Sequence, residues 1–114
     1  MPECLFCAIA AGDLPATIVS DNGRTVAFRD INPQAPVHVL VITRAHHANL
    51  AELAEAGDGL LAEVIAHANE VAAGEGLADG GYRVIFNTGP DAGQTVEHVH
   101  AHVLGGRPMG WPPG

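Results

Sequence analysis

The chain has 114 residues and a formal charge of −8, with five basic side chains against thirteen acidic ones, so it carries no basic footprint for a nucleic-acid backbone or an anionic membrane surface. A small phosphate ester needs only local donors and stays open as a partner. Apolar residues make up 47%, which excludes intrinsic disorder, while the 4% aromatic share leaves core packing to aliphatic layers that a subunit interface would complete.

A single domain over 1–114 is the expectation at this length. No apolar run approaches a membrane span, and Met1-Pro2-Glu3 begins no signal peptide, so a cytoplasmic location is expected. Cys4 and Cys7 form one Cys-x-x-Cys pair, too few cysteines for a disulfide framework. In a cytosolic chain the pair points to zinc or redox chemistry, against the plainer alternative of two reduced cysteines on a helix.

From the N-terminus, Cys4 to Ala11 is rich in helix formers and stops at Gly12, which predicts a short helix. Thr17-Ile18-Val19-Ser20 is a β-branched run. Asp21-Asn22-Gly23 then makes a hairpin turn, because Asn and Gly tolerate positive φ. Arg24–Arg29 is the return strand, with Val26 and Phe28 on one face. Two prolines make Asp30–Pro36 a loop, and Val37–Ile42 is a nearly continuous apolar strand interrupted by His38.

Leu60, Leu61, Val64, Ile65, Ala68, Val71 and Ala72 form an apolar stripe at helical spacing, so the main helix is placed over Gly57–Gly74 with Asp58 as N-cap. His67 lies off that stripe and reads as a solvated residue without a role. Gly81–Asn87 is a strand, Thr88–Thr95 a glycine-rich loop, and Gly105–Gly114 a tail too rich in Gly and Pro for regular structure. The order predicts an α+β fold: a five-stranded, mostly antiparallel sheet with one main helix and a short N-terminal one.

The most informative stretch is His98-Val99-His100-Ala101-His102, followed by Val103 and Leu104. Its period of two puts three imidazoles on one strand face and the apolar residues on the other. A histidine-rich polar face, a metal site and covalent catalysis by one imidazole all fit this pattern. A glycine-rich loop just before such a strand suits a phosphate, with side-chain donors from Gln94 and Thr95. Asp30 could accept hydrogen bonds from a ribose diol, or simply form an Asx turn.

The run His98–Val103 resembles the His-φ-His-φ-His-φ pattern of the histidine triad (HIT) superfamily. The similarity extends through Phe28–His38, Gly93–Val96 and Gly105-Gly106-Arg107, and the ending Trp111-Pro112-Pro113-Gly114 looks like the Hint branch of purine nucleoside phosphoramidases. The resemblance implies a homodimer with its two sheets joined, and a nucleotide pocket on each subunit. His100 would attack the α-phosphorus of an adenosine or guanosine 5′-phosphoramidate, and water would then release AMP or GMP. His102 and the Thr95 hydroxyl would hold the phosphate or assist the leaving amine, and His38 would complete the histidine set. Asn87 and the Gly93-Gln94-Thr95 amides would neutralise phosphate oxygens. Asp30 would take the ribose hydroxyls, with Phe6, Ile9, Phe28 and Ile31 as a slot for the base.

The resemblance further implies a structural zinc held by Cys4, Cys7, His46 and His98, with His47 as the alternative to His46, and no organic cofactor. Trp111 would reach the partner's site. Thr95 departs from the Ser that many Hint proteins carry; it keeps the hydroxyl and adds a methyl. Competing functions are a nucleotide-binding interaction module, a metalloenzyme using all three triad histidines, and a dinucleoside polyphosphate hydrolase of the sister Fhit type.

Overall fold

The computed structural model describes residues 4–114; Met1-Pro2-Glu3, and with them the expectation about a signal peptide, lie outside the described residues. Helix α1 (Leu5–Ala11) is followed by strands β1 (Ile18–Asp21), β2 (Thr25–Arg29) and β3 (Val37–Thr43). Helices α2 (Leu50–Ala56) and α3 (Leu60–Gly74) come next, and β4 (Tyr82–Ile85) and β5 (His100–Gly105) end the fold. The five strands form one sheet in the order β1-β2-β3-β5-β4, antiparallel at every pairing.

Strand alternation divides the core in two. Ala27, Val39, Val41, Ala101 and Val103 face the layer of α2 and α3, meeting Leu53, Leu60, Val64, Ala68 and Val71. Val26, Phe28, Leu40 and Ile42 face the other way, onto Phe6 and Ala10 of α1. His100 pairs with Ile42 and His102 with Leu40, which puts both imidazoles on the α1 side. Helix α1 is only 7 residues long. Half of that sheet face is therefore left without a helix, and the histidines stand at the boundary.

Three local differences from the sequence reading have physical causes. Helix α2 was not anticipated, although Asn49 caps it by accepting from the Glu52 amide at 3.0 Å while Glu52 accepts from the Ala48 amide at 3.1 Å. Gly57, at φ 64°, ends α2 rather than opening the long helix. Helix α3 begins at Leu60 with Gly59, and not Asp58, as its N-cap; Asp58 lies one residue further out, where its Oδ1 accepts from the Leu60 amide at 3.2 Å.

His67 requires a correction. It is fully buried, with Nε2 at 2.6 Å from Ser20 Oγ and Nδ1 at 2.7 Å from Thr25 Oγ1. It ties α3 to the β1–β2 hairpin, and its burial pushes its pKa below the usual imidazole value.

Candidate active site and metal centre

The loop before β5 brings His98 against Phe6 of α1, two residues ahead of the strand proper. The His98 ring packs edge-on against Phe6 at 6.0 Å and against His46 at 4.9 Å. Its Nδ1 lies 3.2 Å from Cys4 Sγ and 3.5 Å from Cys7 Sγ, while His46 Nδ1 lies 3.3 Å from Cys7 Sγ. The ligand atoms of Cys4, Cys7, His46 and His98 all fall within 4.8 Å of one another. His47 contributes a backbone carbonyl instead, accepting from the Val99 amide at 2.7 Å.

The donor set fits a closed tetrahedral ion of the zinc type. The second nitrogen of His98 supplies a further test. Nε2 lies 2.6 Å from the Thr43 carbonyl, which only accepts, so Nε2 carries the proton and Nδ1 presents a bare lone pair to the sulfurs. Burial and the adjoining Cys4 sulfur raise the Cys7 thiol above its ordinary pKa. A cation among the four donors would reverse that effect.

Backbone partners also fix the other histidine tautomers. His100 Nδ1 lies 2.8 Å from the His98 carbonyl and must donate to it, so in the neutral ring Nε2 is the unprotonated nitrogen. The Gln34 amide donates to His38 Nδ1 at 3.0 Å, so the proton of His38 sits on Nε2. That Nε2–H faces His102 Nδ1 at 2.9 Å and Asp30 Oδ2 at 3.3 Å. His102 accepts at Nδ1 and keeps its own proton on Nε2. Burial is the main cause that lowers the pKa of His38, opposed by Asp30. Burial, with His100 and His38 alongside, pushes His102 down to about 4. Burial thus works against a charged His38, and its Nε2–H contact with Asp30 Oδ2 is a hydrogen bond.

Phe6, Ile9, Phe28, Asp30, Ile31, Thr95, His100 and His102 line one cleft of about 510 Å³. Within it, Phe6 is only 5% exposed and packs edge-on at 5.0 Å against His100, so it buttresses that imidazole, whereas Ile31 is fully exposed at the rim. Leu5, Leu14, Pro15, Ala16, Leu40 and Val96 also line the cleft. Exposed Leu5 and Leu14 carried no sequence signal, because the cleft they line also draws on β2, β3 and β5, which are distant in sequence. Asp30 Oδ1 accepts from the Asn32 amide at 2.8 Å, so the Asx turn forms while the carboxylate still lines the cleft.

Other predicted residues lie elsewhere. Asn87 and Trp111 line a second, more open groove of about 890 Å³ on the uncovered half of the sheet, where His38 and His102 form one wall. The Gly93 and Gln94 amides do not serve as free anion donors. They are bonded to the Pro90 and Gly89 carbonyls at 3.0 and 3.1 Å. The Gln94 side chain is likewise occupied, donating to the Ala48 and Val96 carbonyls and accepting from the Gly89 amide.

An imidazole whose neutral tautomer presents a bare Nε2, beside a second imidazole offering N–H, can attack a phosphorus and hold its oxygen. Known proteins share this arrangement's scaffold. The chain is 47% identical to a HIT family hydrolase from Legionella pneumophila Philadelphia 1, whose structure superposes with a TM-score of 0.94 over 98% of this chain and 100% of that one. It is 45% identical to the 14 kDa zinc-binding protein of Zea mays, over 96% of this chain and 87% of that protein. It is 40% identical to the adenylylsulfatase HINT1 of Arabidopsis thaliana, over 96% of this chain and 76% of that protein. Residues 11–109 match the HIT domain, and with the histidine strand, the antiparallel sheet and these relatives in agreement, the chain belongs to the HIT domain family.

Proposed function

We propose that this protein hydrolyses purine nucleoside 5′-phosphoramidates through a nucleotidyl-histidine formed at His100. The observation that carries the reading is the bond from His100 Nδ1–H to the His98 carbonyl, which leaves a bare Nε2 on a residue lining an apolar cleft that also holds Asp30. In this reading the base lies among Ile9, Phe28, Ile31 and the exposed leucines of the cleft, and Asp30 takes the ribose hydroxyls. The Nε2 lone pair forms a bond to the α-phosphorus. The P–N bond breaks with its electron pair staying on the amine, which takes a proton from solvent through the Thr95 hydroxyl. His102 Nε2–H holds a phosphate oxygen, and Asn87 reaches another from the groove side. Water then attacks the phosphorus, the pair returns to Nε2, and the proton of water passes to solvent. A relative named as an adenylylsulfatase supports hydrolysis at an adenylyl phosphorus.

The same reading assigns a structural zinc to Cys4, Cys7, His46 and His98, supported by the zinc-binding name of the maize relative and by the bare Nδ1 of His98. When bound, the ion would cross-link α1 to the β3–α2 connection and to the approach to β5. The unpaired edge of β4 is the place where two sheets would join in a homodimer, and the cytoplasm is the compartment that suits reduced Cys4 and Cys7. AMP release from adenosine 5′-phosphoramidate tests the function. Wild type should turn over, and His100→Ala should bind AMP without turnover. Full activity in His100→Ala would remove the mechanism.

A further inference from the structure

The loop between β4 and β5 is closed by a double bond pattern between Gly89 and Gln94. The Gln94 amide donates to the Gly89 carbonyl at 3.1 Å, and the Gly89 amide donates back to Gln94 Oε1 at 3.0 Å. The carboxamide nitrogen reaches out of the turn, donating to the Ala48 carbonyl at 2.7 Å and to the Val96 carbonyl at 3.0 Å. One half-buried side chain thus commits both its hydrogens and its oxygen to backbone partners. Ala48 is a firm anchor, because its own amide donates to Glu52 Oε1 at 3.1 Å in the cap of α2. A second tie follows next door, where the Val99 amide donates to the His47 carbonyl at 2.7 Å.

Thr95 is the residue between Gln94 and Val96, and the bond from the Gln94 side chain to the Val96 carbonyl closes a ring around it. A β-branched side chain has few χ1 wells, so a fixed backbone also narrows the positions open to its hydroxyl. Thr95 and Val96 line the nucleotide cleft together with His100 and His102. Every polar atom of the Gln94 side chain is taken up by the protein. Its influence on a bound nucleotide therefore passes through Thr95.

We infer that Gln94 is a positioning residue for the cleavage step: its carboxamide holds Thr95 so that the Thr95 hydroxyl meets the leaving nitrogen. This rests on the phosphoramidase reading and adds to it a residue that acts without touching the nucleotide. As the P–N bond breaks, its electron pair stays on nitrogen and the Thr95 hydroxyl gives its proton to that nitrogen. Solvent returns a proton to the Thr95 oxygen. A proton donor works only within hydrogen-bond reach of the atom it serves. Misplacement by about 1 Å costs on the order of a hundredfold in rate, and an untethered Thr95 would be misplaced on that scale. An amine needs this proton because it is a poor leaving group as an anion, whereas a nitrophenolate does not.

The test compares an adenosine 5′-phosphoramidate of a simple alkylamine with the nitrophenyl ester of AMP, whose leaving group departs as an anion. The readout is the ratio of the two kcat/KM values, amidate over ester. Gln94→Met, Gln94→Glu and Thr95→Val should each lower that ratio roughly tenfold or more. Gln94→Glu keeps an acceptor for the Gly89 amide, so it carries the same comparison where the methionine variant does not fold. Adding Gln94→Met or Gln94→Glu to Thr95→Val should lower the ratio no further, since both residues act through one hydroxyl. A purely architectural Gln94 would weaken both substrates alike. An unmoved ratio in the Gln94 variants, an unmoved ratio in Thr95→Val, or losses that multiply in the double variant overturns the inference while leaving hydrolysis of the amidate intact. Failure of the wild type to hydrolyse the amidate overturns the phosphoramidase reading itself.

Discussion

His67 shows how one side chain joins distant segments. Its two nitrogens meet hydroxyls of Ser20 and Thr25, residues 47 and 42 positions away in the chain. No local pattern announces such partners, and by helical spacing alone His67 belongs on the solvent side. The same blindness applied to Gly93 and Gln94, whose loop composition suited an anion while their amides were already used within the turn. By contrast His98, His100 and His102 were legible, because a period of two needs only the strand itself. His67→Ala should leave the buried Thr25 hydroxyl and the half-buried Ser20 hydroxyl unpartnered and a cavity behind them, lowering unfolding free energy by about 2–4 kcal/mol in chemical denaturation. A loss under about 0.5 kcal/mol, the usual range for surface substitutions, would mean the residue is solvated after all. Gly106 is constrained in another way: it sits at φ +92°, and a Cβ there would come within 2.9 Å of Pro36 Cβ, on the loop that positions Gln34 and His38. Gly106→Ala should therefore lower stability by about 1–2 kcal/mol, checked by the same titration.

Helix α1 is too short to persist by itself, and Cys4 caps it through a sulfur that accepts from the Cys7 amide at 3.4 Å. Its hold on the sheet comes from Phe6 and Ala10 and from the Cys4–Cys7–His46–His98 cluster. Because Phe6 packs on His100, the cluster and the proposed nucleophile share one support. Purified protein is expected to contain one zinc per chain. Cys7→Ser should lose the metal and melt several degrees lower, as should the wild type after chelation. Unchanged melting in metal-free protein would contradict a structural role. The helix and hairpin signals were readable in the sequence at α1, at the Asp21-Asn22-Gly23 turn and along the stripe of α3. Helix α2 was passed over although Asn49 and Glu52 carry a capping pattern, since its seven residues bury a single large apolar side chain, Leu53, and show little periodicity.

At the scale of the whole molecule, protons bear on stability through several histidines at once. Burial is the leading cause that lowers His38, His67, His98 and His102 below the ordinary imidazole pKa near 6.5, His102 to about 4. Each group stays neutral in the folded chain while the unfolded chain takes up its proton first. Stability is therefore full above about pH 6.5 and falls as pH drops from there toward about 4. Thermal melts between pH 7.5 and 4.5 should show the midpoint descending steadily; a flat profile would contradict the buried neutral imidazoles. That β4 ends the sheet was not legible from residues alone, since Tyr82–Ile85 reads like any strand. Sedimentation is expected to give twice the 11.7 kDa chain mass, and a monomer at micromolar concentration would contradict the joined sheets. The central claim is a covalent bond from His100 to phosphorus, and stereochemistry tests it most directly. An adenosine 5′-phosphorothioamidate of one configuration at phosphorus is hydrolysed in heavy-oxygen water, and the configuration of the product is read. Two in-line displacements predict net retention. Net inversion would mean that water attacks the substrate directly and that no nucleotidyl-histidine forms.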